Sequence, residues 1–140
     1  MRNSALAADY VKRAAARLHA VDVLFEARSW ADVVSESQEV VELALKGLLR
    51  AAGVDPPHVH DVGDVLKAER SQMPSSLAGE VDRLAAASRT LRRDRELAFY
   101  GAEDLTPSDF YREDDAKEAR AAARLVVDRV RRHVLPGSPD

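Results

Sequence analysis

Apolar residues recur along this chain at three- and four-residue steps rather than in alternation, which is the period of helices packed on one face. The first such stripe is Leu6, Tyr10, Ala14, Leu18, Val21, Leu24 and Phe25, on a helix expected over residues 4–27 with Ser4 as its cap. Arg28 and Ser29 leave little room to turn, so the next helix should fold back beside the first as a hairpin. That second helix is the most apolar. Trp30, Val34, Ser37, Val41, Leu45, Leu48 and Leu49 gather on one face, and Val33, Val40 and Ala44 widen it. Ser29 with Asp32 three residues on reads as a capping box, and Gly53 supplies the left-handed residue that closes many helices.

Beyond it, Asp55-Pro56-Pro57 forces an extended loop, because neither proline can donate a backbone hydrogen bond or continue a helix. Asp61, with Asp64 as capping partner, opens a short third helix over about residues 61–69, and Met73-Pro74 then interrupts the helical pattern. Ser75 or Ser76 restarts a helix to about Leu91, its inward face being Leu77, Val81, Leu84, Ser88 and Leu91. Residues 93–112 lose the helical period and contain Gly101, Thr106 and Pro107, so most of that stretch is expected to be a structured loop. A last helix, from about Glu113 to Val134, should bury Ala116, Ala119, Ala123, Val126, Val127 and Val130. The pattern predicts an all-α protein, a helical bundle. Residues 1–135 form a single domain and residues 136–140 a disordered tail.

Composition narrows the class. At 140 residues the chain can bury a real core unaided, and with no cysteine it has neither disulfides nor thiolate metal sites. The first residues hold no apolar leader core, and no stretch approaches the ~20 apolar residues that span a bilayer. The expectation is a cytoplasmic protein without membrane contact. A net charge of −3 in a chain that is 32% charged does not announce a nucleic-acid binder, so local clusters must carry any such reading.

The densest cluster is Arg89, Arg92, Arg93 and Arg95, with Phe99-Tyr100-Gly101 close behind it. Guanidinium forks suit phosphate, and an adjacent aromatic residue can stack on a base or offer a hydroxyl. The alternative is that these arginines complement the negative end of a helix dipole, with Asp94 and Glu96 neutralising part of them. A second polar feature is the column Gln38, Glu42 and Lys46, at four-residue steps along the edge of the central apolar face. It reads either as a polar seam that fixes packing or as part of a phosphate site through Lys46. His58, His60 and Asp61 are good metal ligands by type, yet residues so closely spaced on an irregular loop point to different sides and no further ligand joins a converging pair, so no metal and no cofactor is expected.

These residues resemble the HEPN family of small prokaryotic helical domains. The most specific part is Glu36-Ser37-Gln38-Glu39-Val40-Val41-Glu42-Leu43-Ala44-Leu45-Lys46 together with His60-Asp61, and Arg95-Glu96-Leu97-Ala98-Phe99-Tyr100-Gly101 is similar to the later family motif. The resemblance implies an up-and-down bundle of four main helices with a short extra helix, commonly dimerising so that two copies of the later motif face each other, often beside a minimal nucleotidyltransferase. It also implies, for many members, metal-independent ribonuclease activity as the toxin of a toxin–antitoxin pair. The family pattern is an arginine, four to six residues, a histidine and, in one branch, a tyrosine two residues later. Arg93 takes the arginine place and Tyr100 the tyrosine place, but Ala98 stands where the histidine would be.

That departure bears on chemistry, because a base of near-neutral pKa is needed to take the proton from a ribose 2′-hydroxyl, and alanine has none. Arg13 and His19 satisfy the bare spacing, but inside the first helix and in the wrong context. His60 is the better substitute if its loop folds back toward Arg93 and Arg95. Three readings result. The first is a module that binds nucleotide or RNA phosphate through Arg92, Arg93, Arg95, Tyr100 and Lys46, as a homodimer beside a nucleotidyltransferase. In family branches that keep the tyrosine, the partner transferase can place nucleotide groups on that hydroxyl, which makes Tyr100 a candidate for modification. The second is a ribonuclease toxin in which Arg93, Tyr100 and a displaced base, His60, act together. The third is a non-catalytic helical dimer.

Overall fold

A central helix buried on nearly every side needs partners around it, and the fold supplies three. The computed structural model describes the backbone of residues 2–56, 58, 62–100 and 106–135, and the side chains of 4–56, 58, 62–91 and 106–135. In chain order the described elements are α1 (Arg2–Glu26), α2 (Trp30–Ala51), α3 (Gly63–Ala68), a 3₁₀ turn (Arg70–Gln72), α4 (Ser75–Ala78), α5 (Val81–Tyr100), α6 (Pro107–Phe110) and α7 (Glu113–Val134). No strand occurs among the described residues. The four long helices pack on one another, with α2 in the middle against α1, α7 and α5.

Burial follows the predicted faces closely in α2 and α7. On α2 every residue of the expected apolar face except the partly buried Trp30 is buried, and Leu45, Leu48 and Leu49 are among the largest side chains removed from water. Each such leucine contributes about 1.5–3 kcal/mol by transfer alone. On α7 the buried residues are Ala116, Ala119, Ala123, Val126, Val127 and Val130, the stripe its spacing predicts. Its acidic first turn, Glu113, Asp114 and Asp115, and basic last turn, Arg131, Arg132 and His133, both suit the helix dipole. The Arg112 backbone N–H also donates to Asp115 Oδ2 at 2.9 Å, closing the start.

Two turns share one geometry. The Ser29 N–H donates to the Leu24 carbonyl and the Arg28 N–H to Phe25, while after α2 the Val54 N–H donates to Leu49 and the Gly53 N–H to Arg50. These are Schellman closures, and the residue at the left-handed position is Arg28 in the first, with φ of 60°, and Gly53 in the second, with φ of 80°. Beside the first turn the Phe25 and Trp30 rings meet edge to face at 5.0 Å.

Several expectations are corrected. α1 is already helical at Arg2, so Ser4 lies within its first turn instead of capping it; the alanines that come next propagate a helix readily. Leu6 is exposed, and Ala7 and Val11 take the inward positions on α1. Ser29 does precede α2, but its hydroxyl donates to Asp32 Oδ2 at 2.5 Å and caps no backbone N–H. α3 begins at Gly63 with Val62 at the cap position, later than an Asp61 cap requires; Asp61 itself lies outside the described residues. The helix expected over residues 75–91 is split by Gly79 and Glu80 into α4 and α5. α5 then continues through Tyr100, where a loop was expected. Charged residues mask the apolar period between Arg92 and Tyr100 without breaking a helix, since no glycine or proline intervenes. Residues 136–140, the expected tail, lie outside the described residues, as do 101–105.

Candidate functional site

The arginine cluster and Tyr100 all ride on α5. Because the backbone is helical from Val81 to Tyr100, Arg93 and Tyr100, seven residues apart, stand two turns apart at one register of that helix. It is the register of Asp82 and Arg89, both exposed. The buried register of Val81, Leu84, Ser88 and Leu91 runs on instead to Arg95 and Ala98. The side chains of Arg92, Arg93, Arg95 and Tyr100 lie outside the described set, as does all of His60.

One described contact fixes the neighbourhood. Arg89 Nη2 donates to Asp64 Oδ1 at 2.8 Å, tying the first turn of α3 to α5. His60 is four residues before Asp64 and Arg93 four residues after Arg89. The pair therefore ties the chain just beyond the His58–Asp61 stretch to α5 one helical turn before the Arg93 position. It also commits one cation of the cluster to a carboxylate.

The polar column of α2 goes elsewhere. Gln38 is fully buried, while Glu42 and Lys46 line a groove of about 350 Å³ between α1 and α2, together with Tyr10, Arg13, Arg17, Glu39 and Leu43. Lys46 Nζ donates to Glu42 Oε1 at 3.0 Å, with the side chains only 18% and 11% exposed. Arg17 lies 3.6 Å from Glu39 and 3.8 Å from Glu36, Arg13 lies 3.8 Å from Asp9, and the Arg50 guanidinium sits 5.4 Å from the centre of the Tyr10 ring. At the end of the groove Arg50 also reaches toward Asp55 at 3.9 Å. With a carboxylate beside each cation, the groove is a charge-balanced seam.

Lys46 and Arg93 are not brought together. Val34 is the residue of α2 that lines a groove with Leu91 of α5, and Lys46 stands a little over three turns farther along α2, about 18 Å away. Among the histidines, His19 and His58 are exposed, and the Ser76 hydroxyl lies 3.3 Å from Nδ1 of His133. No group of three or more metal-ligating side chains occurs among the described residues.

Three features escaped sequence reading. Asp22 of α1 meets Arg124 at 2.7 Å and Arg120 at 3.6 Å, and the Arg120 guanidinium lies 3.6 Å above the Phe25 ring, clamping α7 to α1. Arg129 bonds Glu80 at 2.9 Å and Asp128 at 2.8 Å, and Glu80, as hydrogen-bond and charge partner, raises the guanidinium above its usual pKa. The third is an open groove between α5 and α7, lined in part by Ala86, Ala87, Ala119 and Ala122. Its sequence signal is the run of alanines on both helices, which leaves room where bulkier residues would close the gap.

Comparison with known proteins adds one match: the model of a family described as HEPN domain matches residues 7–133. No curated protein and no solved structure matches the chain.

Proposed function

The chain belongs to the HEPN domain family, and from that premise we propose that it binds the phosphate of a nucleotide or of RNA through Arg93 and Tyr100 with Arg92 beside them, as a homodimer alongside a minimal nucleotidyltransferase. The observation that carries this reading is the helical course of α5 through Tyr100, which sets Arg93 and Tyr100 two turns apart at one register, with Arg92 a quarter turn aside and Arg95 on the opposite, inward register. A rigid helix presents guanidinium and phenol groups to one extended phosphodiester with less ordering cost than a loop does. Lys46 is left out of this site, because it is paired with Glu42 and lies in the α1–α2 groove.

A second reading, a metal-independent ribonuclease with a displaced base, is favoured by the Asp64–Arg89 bond, which holds the chain next to His60 near the Arg93 position. In that reading His60 takes the 2′-hydroxyl proton and Arg93 stabilises charge on the phosphate. Incubation of a mixed RNA pool with the purified protein and a chelator, beside Arg93→Ala and His60→Ala, separates the two. Cleavage lost in both variants assigns the ribonuclease. Intact RNA together with nucleotide binding that Arg93→Ala weakens assigns the binding module. If the wild type neither cleaves RNA nor binds nucleotide, both readings fail and a scaffold dimer remains.

A further inference from the structure

Between α5 and α7 the helices stand apart over a groove of about 280 Å³, its floor and walls formed by Val34, Ala87, Leu91, Ala119, Ala122 and Leu125. The size lies just below the roughly 300–1,000 Å³ typical of small-ligand sites, enough for one ring system, and the lining is mostly apolar, as in such sites. We propose that this groove seats the base of a nucleotide whose phosphate is held by the arginines farther along α5. The proposal rests on the phosphate-binding reading above.

The rim supports a base more than a plain hydrocarbon. Arg83 of α5 and Glu118 of α7 both line the groove, and neither takes part in a hydrogen bond or ion pair among the described residues. Asp115, also on the rim, is already engaged by the Arg112 N–H. With the Thr90 hydroxyl and the second oxygen of Asp115 also on the rim, the groove offers one guanidinium donor, one hydroxyl and two carboxylate acceptors flanking apolar walls. A nucleobase has apolar faces and an edge carrying both donors and acceptors, which matches that arrangement. An aliphatic chain would leave Arg83 and Glu118 without a role.

Direction along the helix supports the same occupant. Leu91 lines the groove, and Arg92 and Arg93 are the next two residues of α5, a rise of about 3 Å. A base against Leu91 places its own phosphate toward that end of the helix. The shared chemistry is a base carrying a phosphate, supplied either by a free mononucleotide or by an RNA terminus.

Calorimetric titration of the full chain with AMP, UMP, a 5′-phosphorylated RNA tetranucleotide and inorganic pyrophosphate tests this, using Ala122→Leu and Glu118→Gln. Leucine at position 122 fills the groove and should weaken AMP or UMP binding about tenfold, leaving pyrophosphate binding unchanged. Glu118 is exposed, so Glu118→Gln should leave the fold intact while changing the ratio of AMP to UMP affinity; it carries the test if Ala122→Leu does not fold. Equal affinity for tetranucleotide and mononucleotide, both weakened by Ala122→Leu, assigns a free nucleotide, and tighter tetranucleotide binding weakened likewise assigns an RNA end. Nucleotides that bind no better than pyrophosphate overturn the base site alone, as does affinity unchanged in both variants. Failure of the wild type to bind pyrophosphate at all would instead overturn the phosphate reading. If Ala122→Leu turns a dimer into a monomer at unchanged nucleotide affinity, the groove is an interface between copies and the proposal fails.

Discussion

Arg28 closes α1 at φ of 60°, a conformation that a residue with a Cβ adopts at a penalty of about 1–2 kcal/mol. Glycine removes that penalty but gains backbone freedom in the unfolded chain, so Arg28→Gly should stabilise the protein by a net of about 0.5–1 kcal/mol, read by urea denaturation. Gly47 calls for the opposite argument. Alanine in a helix interior is normally favoured over glycine by about 1 kcal/mol. At this position a Cβ would stand 2.8 Å from Val11 Cγ2, 3.1 Å from Tyr10 Cβ and 3.3 Å from the Ala7 carbonyl oxygen. Val11 is fully buried and has no room to swing away. Overpacking of this kind costs about 1–3 kcal/mol and outweighs the propensity gain, so Gly47→Ala should lower the melting temperature. A rise would mean that α1 and α2 separate easily.

At the scale of elements, the informative contact is the one between α3 and α5. The Asp64 and Arg89 side chains are 83% and 58% exposed, so their bond contributes at most about 1 kcal/mol to global stability. Its consequence is local: α3 is a short helix held by Val62 at its cap, Gly63, Leu66 and the partly buried Val65, so one added tie bears on its opening. Asp64→Ala should therefore leave the denaturation midpoint nearly unchanged while speeding amide hydrogen exchange in α3. If α3 exchange is unaltered, the apolar contacts of Val62, Val65 and Leu66 anchor the helix without the ion pair. The α1–α7 clamp of Asp22, Arg120, Arg124 and Phe25 is a contrasting case, in which charges surround an aromatic ring at the side of the bundle.

For the whole molecule, α2 is the part on which everything else depends, because its buried faces meet α1, α5 and α7 together. Leu45 is fully buried within the core cluster. Leu45→Ala should destabilise the fold by about 2–5 kcal/mol, through lost burial and the cavity left behind. The loss should appear as one cooperative transition in both circular dichroism and tryptophan fluorescence, since Trp30 belongs to the same helix. Two separated transitions would show that the outer helices unfold without α2. No helix among the described residues is long and apolar enough to cross a membrane. The apolar faces of the long helices are instead spent on one another around α2.

How much of this was legible in the sequence depends on how local the cause is. The inward faces of α2 and α7 could be read residue by residue, because side chains three and four apart share one side of a helix whatever surrounds it. The same locality makes Gly53 readable as a stop, whereas Arg28 carries no mark of its left-handed backbone, which the tight α1–α2 corner imposes. The helical course of α5 beyond Leu91 was hidden because its charged residues erase the apolar period while keeping good helix propensity. Lys46 and Arg93 shared a charge in the sequence, yet only packing puts Lys46 in the α1–α2 groove beside Glu42, while Val34 of the same helix lines the groove that Leu91 shares. Sequence alone thus determined the helical class, the family resemblance and which faces are apolar. Tertiary structure decided which faces meet, that Gln38 is buried, and that alanines on α5 and α7 leave a groove, because each depends on the spacing between helices distant along the chain.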